Sequence, residues 1–232
     1  MTGSSTTGRA GPWRNNPVLV QLLGLSPALA MTRSLAMALG LGVATLMVLV
    51  ASRTTMALVE RRISAAVWMP AQLLLIATGA GCVDLLLEVY RYPLHQQLGI
   101  FVSLIAANGV LLADERSQSP ILAARAALGT GLGFVGTLCL IGALRELAGQ
   151  GTLGAGMELL FGPVAAGWRL QVLPAGYGFP LWLLPAGAFV LVGLLIALGN
   201  TVALRARPPA PEPAAPVPGA KRVRVTDRAP GD

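Results

Sequence analysis

Four stretches of this sequence, residues 35–52, 67–89, 122–144 and 179–204, are too apolar and too long for water to solvate comfortably. About 20 such residues at ~1.5 Å each cross the ~30 Å hydrocarbon core of a bilayer. There every backbone polar group must be satisfied internally, so each stretch is expected to be a helix. Of the 232 residues, 54% are hydrophobic and only 12% charged, roughly half the charged share of an average soluble domain. The mean hydropathy is +0.68. The chain therefore reads as an all-α integral membrane protein whose first partner is the lipid bilayer. A net charge of +7 does not point to nucleic acid, because the basic residues flank apolar helices instead of forming a reading surface.

Two further apolar stretches are shorter and broken. Residues 16–30 open with Asn16-Pro17, a capping residue followed by a proline where the missing N–H costs nothing. They then meet Ser26-Pro27, which removes a helical hydrogen bond. Residues 97–113 pass through Asn108-Gly109 and stop at Asp114. About 16 helical residues reach only ~24 Å, short of the hydrocarbon thickness. Short or interrupted segments at matching places in two halves of a membrane protein point to a central site. Six segments, three per half, require the halves to lie in opposite orientation. A faint echo supports such an inverted repeat: Gly40-Leu41-Gly42 before Thr45-Leu46 resembles Gly131-Leu132-Gly133 before Thr137-Leu138. The tips of the half-helices at segments 1 and 4 are then expected to meet near the bilayer middle. The glycine pairs are read as packing notches for close helix approach.

The organisation that follows is a polar arm over residues 1–15, a six-segment membrane domain over 16–204, and a Pro/Ala/Arg-rich disordered tail over 205–232. Nothing in the arm resembles the apolar core of a cleavable leader. Of the 17 basic residues, all but Arg33, Arg91, Arg145 and Arg169 fall on the side that carries both termini, with Arg53, Arg61 and Arg62 taken as one basic loop. The positive-inside rule makes that side cytoplasmic. The expected location is the inner (plasma) membrane of a bacterium, crossed several times.

Candidate functional residues are few. Asp84 and Glu88 lie four apart on one helical face near the outer end of the third segment. Ionisable residues within a membrane helix are functional candidates, here for an ion path or a partner contact. The competing reading has Asp84 bonding a neighbouring helix while Glu88 reaches the interface. His95 follows Pro93 by two residues and is expected to face solvent; Cys82 and Cys139 are expected to be small buried hydrophobes. No phosphate loop, triad or dinucleotide fingerprint is present, so no catalytic residue is expected on this chain. A small secondary transporter or ion-conducting permease, with Asp84 and Glu88 carrying the ion, is one reading consistent with these features.

A second reading comes from resemblance. The run from Asn16 to Leu25 resembles the opening of the E-type membrane protein of the Rnf ion-translocating oxidoreductase. It is similar also to the D-type membrane protein of the sodium-pumping NADH:quinone oxidoreductase, and the two types form one family. The likeness continues through Gln97-Leu98-Gly99-Ile100-Phe101, Gly131-Leu132-Gly133, the block from Arg145 to Leu153, and Leu184-Pro185-Ala186-Gly187-Ala188-Phe189. The resemblance implies a six-helix subunit of an electron transport complex. Such a subunit pairs with a homologous, inverted membrane subunit and other subunits of the complex. The complex couples ferredoxin- and NAD-type electron transfer to ion translocation. Arg145-Glu146 ends the fifth segment and reads as a solvated interfacial pair, of little energetic worth; its match to the family block implies a docking role as the alternative. In the family an iron–sulfur centre lies between the paired subunits, held by a cysteine in segment 1 and another in segment 4. Those positions here are Ser26 and Gly109, and neither is a soft thiolate donor. The resemblance therefore carries the fold and the partnership, while no metal or cofactor is assigned to this chain.

Overall fold

The computed structural model describes residues 25–108, 111, 119–174 and 178–205. Its helices are α1 (Leu25–Ala30), α2 (Leu35–Val59), α3 (Ala65–Tyr90), α4 (Tyr92–Leu98), α5 (Ile100–Ser103), α6 (Pro120–Gln150), α7 (Glu158–Phe161) and α8 (Pro185–Arg205). A two-stranded antiparallel ribbon, β1 (Thr152–Leu153) with β2 (Leu170–Gln171), pairs Thr152 with Gln171 and Leu153 with Leu170. Among the described residues four helices are long and apolar enough to cross a membrane, and they are α2, α3, α6 and α8. The protein is a mostly helical, multi-pass membrane protein.

Local chemistry sets the ends of the two central helices. Ser34 caps α2, its Oγ accepting from the Met37 N–H at 3.3 Å, which satisfies a donor that the first turn leaves open. Pro120 takes the first position of α6, and Gly151 closes that helix at φ +70°, its N–H donating to the Leu147 carbonyl at 2.9 Å.

The core is the crossing of α2 and α6. Val135 lies against Gly42, and Leu46 and Leu49 lie against Gly131. Ala38 and the Ser34 carbonyl lie against Gly142. Numbers rise along one helix as they fall along the other, so the pair is antiparallel. Leu41, Ala44, Val48, Phe134, Leu138 and Ile141 are buried around the crossing. Of its most apolar window α2 buries 56%, whereas α3 and α8 bury 17% each, so those two line the outside of the bundle. Both Gly-Leu-Gly pairs do act as notches: Gly40 receives Leu94 of α4 at 3.2 Å from where a Cβ would stand, and Gly131 receives Leu46.

Several boundaries differ from the sequence expectation. The second segment does not stop at Ser52; α2 runs on to Val59, with Arg53 buried inside it instead of in a basic loop. Ser52 and Thr54 donate back to the carbonyls of Leu49 and Val50, so this polar run stays helical. After α3 the chain breaks only at Arg91, and helix resumes at Tyr92 because Pro93 fits a first turn. The fourth segment is not one stretch over 97–113. It is α4, a break at Gly99 with φ +50° and ψ −134°, α5, and a tight turn over Leu104–Ala107. The last segment starts with a separate turn over Pro180–Leu183 before α8 begins at Pro185, which takes the first position of that helix. Residues 16–24 of the first segment, the arm, the tail beyond Arg205 and Gly109 lie outside the described residues, as does the expected meeting of the two tips.

Candidate functional site

The end of α6 carries the densest polar network among the described residues, built by two adjacent charges that serve different partners. Arg145 and Glu146 are both wholly buried. Arg145 Nε donates to the Trp182 carbonyl at 2.9 Å. Its Nη1 reaches the Leu29 carbonyl at 3.2 Å and Thr32 Oγ1 at 2.8 Å. Its Nη2 reaches the carbonyls of Leu183 at 2.8 Å and Leu184 at 3.2 Å. The guanidinium, a rigid fork of five donors, thereby gathers carbonyls that helix and turn ends leave open at α1 and at Pro180–Leu183.

Glu146 does the complementary work. Its Oε2 accepts from the Leu35 N–H at 2.8 Å, at the first residue of α2. Its Oε1 accepts from the Ala155 N–H at 2.7 Å and from Thr152 Oγ1 at 3.4 Å. A cation thus lies at the carboxyl end of one helix and an anion at the amino end of the next, the arrangement that helix dipoles favour. Both side chains are buried and bonded within the chain, to backbone groups and to the hydroxyls of Thr32 and Thr152.

The second polar contact joins α3 to α4. His95 Nε2 and Asp84 Oδ1 lie 2.9 Å apart, both partly buried, and the Tyr92 ring stacks on the imidazole at 6.4 Å. Asp84 therefore bonds a neighbouring helix, and His95 does not simply face solvent. Glu88, one turn further along α3, is exposed, so the structure separates the surroundings of the two carboxylates. The spacing that links Asp84 to His95 crosses the Arg91 break, and no single periodicity runs through it.

Gln72 is a buried group that sequence reasoning missed. It is 2% exposed on α3, and its Nε2 donates to the Leu111 carbonyl at 2.9 Å. A lone glutamine in an apolar run is the only trace it leaves in the sequence. Through it α3 holds the far end of the broken fourth segment.

The donor set does not suit an iron–sulfur centre. Ser26 is exposed on α1 and offers a hydroxyl; Gly109 has no side chain. Cys82 is exposed on α3, contrary to the expectation of burial, and Cys139 is partly buried on α6; both are free thiols. Among the described residues no three His, Cys, Asp or Glu side chains are grouped to hold a metal ion. Thiolates are what hold such clusters, and the two positions in question supply none.

Residues 7–196 match the family model described as Rnf-Nqr subunit, membrane protein. The chain is 47% identical over 227 residues to the E-type subunit of the ion-translocating oxidoreductase complex of Pseudomonas paraeruginosa, covering 94% of each chain. It is 44% identical over 223 residues to the protein of the same name from Vibrio parahaemolyticus, covering 94% of this chain and 95% of the relative. The corresponding Shewanella loihica protein is 43% identical over 222 residues, covering 93% of this chain and 94% of the relative. The chain belongs to the Rnf-Nqr family of membrane subunits.

Proposed function

We propose that this chain is a membrane subunit of an Rnf-type complex that couples electron transfer to ion translocation. In this reading it forms half of the membrane core with a homologous subunit of opposite orientation. The observation that carries the reading is the antiparallel crossing of α2 and α6, where Gly42 meets Val135 and Gly131 meets Leu46. Thr45 and Thr137 each follow their notch, and each hydroxyl returns to the carbonyl four residues earlier, Leu41 at 2.8 Å and Gly133 at 2.9 Å. Two equivalent helices crossing head to tail are what an inverted repeat of three plus three segments requires. The names of the relatives supply the complex and its reaction class.

The proposed setting is the bacterial inner membrane with both termini cytoplasmic. Arg33, Arg91, Arg145 and Arg169 belong to the end of the bundle where α2 starts and α6 finishes, while Arg62 and Arg125 belong to the other. These residues alone do not favour the second end; assigning the basic residues of the arm and tail to it, as six segments require, makes it the more basic and so the cytoplasmic side. Because Ser26 and Gly109 stand where the family has cysteines, the chain is proposed to support the core without ligating an iron–sulfur centre. Isolation of the complex with and without this subunit, followed by iron content and low-temperature EPR, tests this part. A two-iron signal that requires thiolates from this chain would overturn it. Ion flux from the isolated chain in liposomes would instead favour a permease.

A further inference from the structure

We infer that Arg145 is a positioning residue for the first short segment, fixing α1, and with it Ser26, from the opposite half of the chain. Three observations carry this. Arg145 sits on α6, 116 residues from Leu29 in sequence, yet it binds the Leu29 carbonyl in the last turn of α1 and the Thr32 hydroxyl just beyond. The same guanidinium binds three successive carbonyls, Trp182, Leu183 and Leu184, at the approach to α8. One rigid planar group therefore sets α1 and the start of the last span relative to each other. Third, the adjacent Glu146 fixes the first N–H of α2, so the link between α1 and α2 is held at both ends by neighbouring residues of α6.

The fork geometry makes the role specific to arginine. Lysine presents its donors from one point and cannot reach both sets of carbonyls at once. Buried carbonyls left without donors would then drive α1 away from its seat. The inference rests on the proposed core only for what segment 1 does in the complex; the placement itself is internal to the chain.

Pairs of nitroxide labels on the full-length chain in nanodiscs, with Cys82 and Cys139 replaced by serine and alanine, test it by double electron–electron resonance. One pair, Ser26→Cys with Leu58→Cys, reads α1 against α2. The other, Leu132→Cys with Leu58→Cys, reads the crossing of α2 and α6; Leu58 and Leu132 are both exposed. The expected result is that Arg145→Lys and Arg145→Ala each abolish the single narrow distance of the first pair and leave the second unchanged. An unchanged first distance in both variants overturns the inference. So does equal loss of both distances in Arg145→Lys, which would make Arg145 a general support of the bundle. Absence of a homologous partner on isolation would defeat the proposed core without touching these distances.

Discussion

Glu146 accepts a hydrogen bond from the Leu35 N–H at 2.8 Å, joining the end of α6 to the start of α2 across 111 residues. Because the carboxylate is wholly buried, removing it strands the Leu35 and Ala155 donors together. Glu146→Ala is expected to destabilise the chain by about 2–4 kcal/mol, the range for charged hydrogen bonds lost inside a protein. Glu146→Gln should recover only part of this, since its amide turns a donor toward one of the two N–H groups. Thermal unfolding in detergent, followed by circular dichroism, gives the ranking.

Close packing at the crossing yields a matched pair of substitutions. A Cβ on Gly142 would stand 2.8 Å from the Ala38 Cβ and 3.0 Å from the Ser34 carbonyl, neither of which is a mobile side-chain end. Gly142→Ala should cost about 1–3 kcal/mol by overpacking. Gly136, on the same helix, meets nothing within 4 Å, so Gly136→Ala should be neutral or gain up to about 1 kcal/mol of helix propensity. Equal unfolding temperatures for the two variants would contradict the antiparallel register.

The break in the fourth segment depends on one backbone angle. Gly99 sits at φ +50° and ψ −134°, a region that residues with a Cβ occupy only under strain. Gly99→Ala is expected to cost about 1–3 kcal/mol. If α4 and α5 were instead one continuous helix, alanine would stabilise the segment, and hydrogen exchange at residues 98–103 would slow instead of quicken.

Asp84 and His95 form a partly exposed pair at 2.9 Å, so solvent discounts their attraction. A double-mutant cycle with Asp84→Asn and His95→Gln should return a coupling of about 0.2–1 kcal/mol. Glu88→Gln, at an exposed position, should leave stability unchanged in the isolated chain. A coupling near zero between Asp84 and His95 would mean the two helices are held together by packing alone.

The long apolar runs were legible because hydrophobicity over about 20 residues has one physical solution in a bilayer. The glycine notches were legible too, since small residues mark close approach between helices. Helix ends were less so: Arg53 looked like a loop residue, although Ser52 and Thr54 satisfy themselves within α2. The burial of Arg145 and Glu146 was not legible for a related reason. Charges near the end of an apolar run resemble an interfacial pair, and only the fold shows that carbonyls from residues 29 and 182–184 converge on one of them. His95 was hidden because its partner lies across the helix break at Arg91, which no spacing rule anticipates.

Affinity isolation of the tagged full-length chain from its native membranes in mild detergent tests the core-subunit reading most directly. The result expected is stoichiometric recovery of a homologous membrane subunit, with this chain losing thermal stability when that partner is withheld. Recovery of the chain alone, equally stable and conducting ions in liposomes, would contradict it.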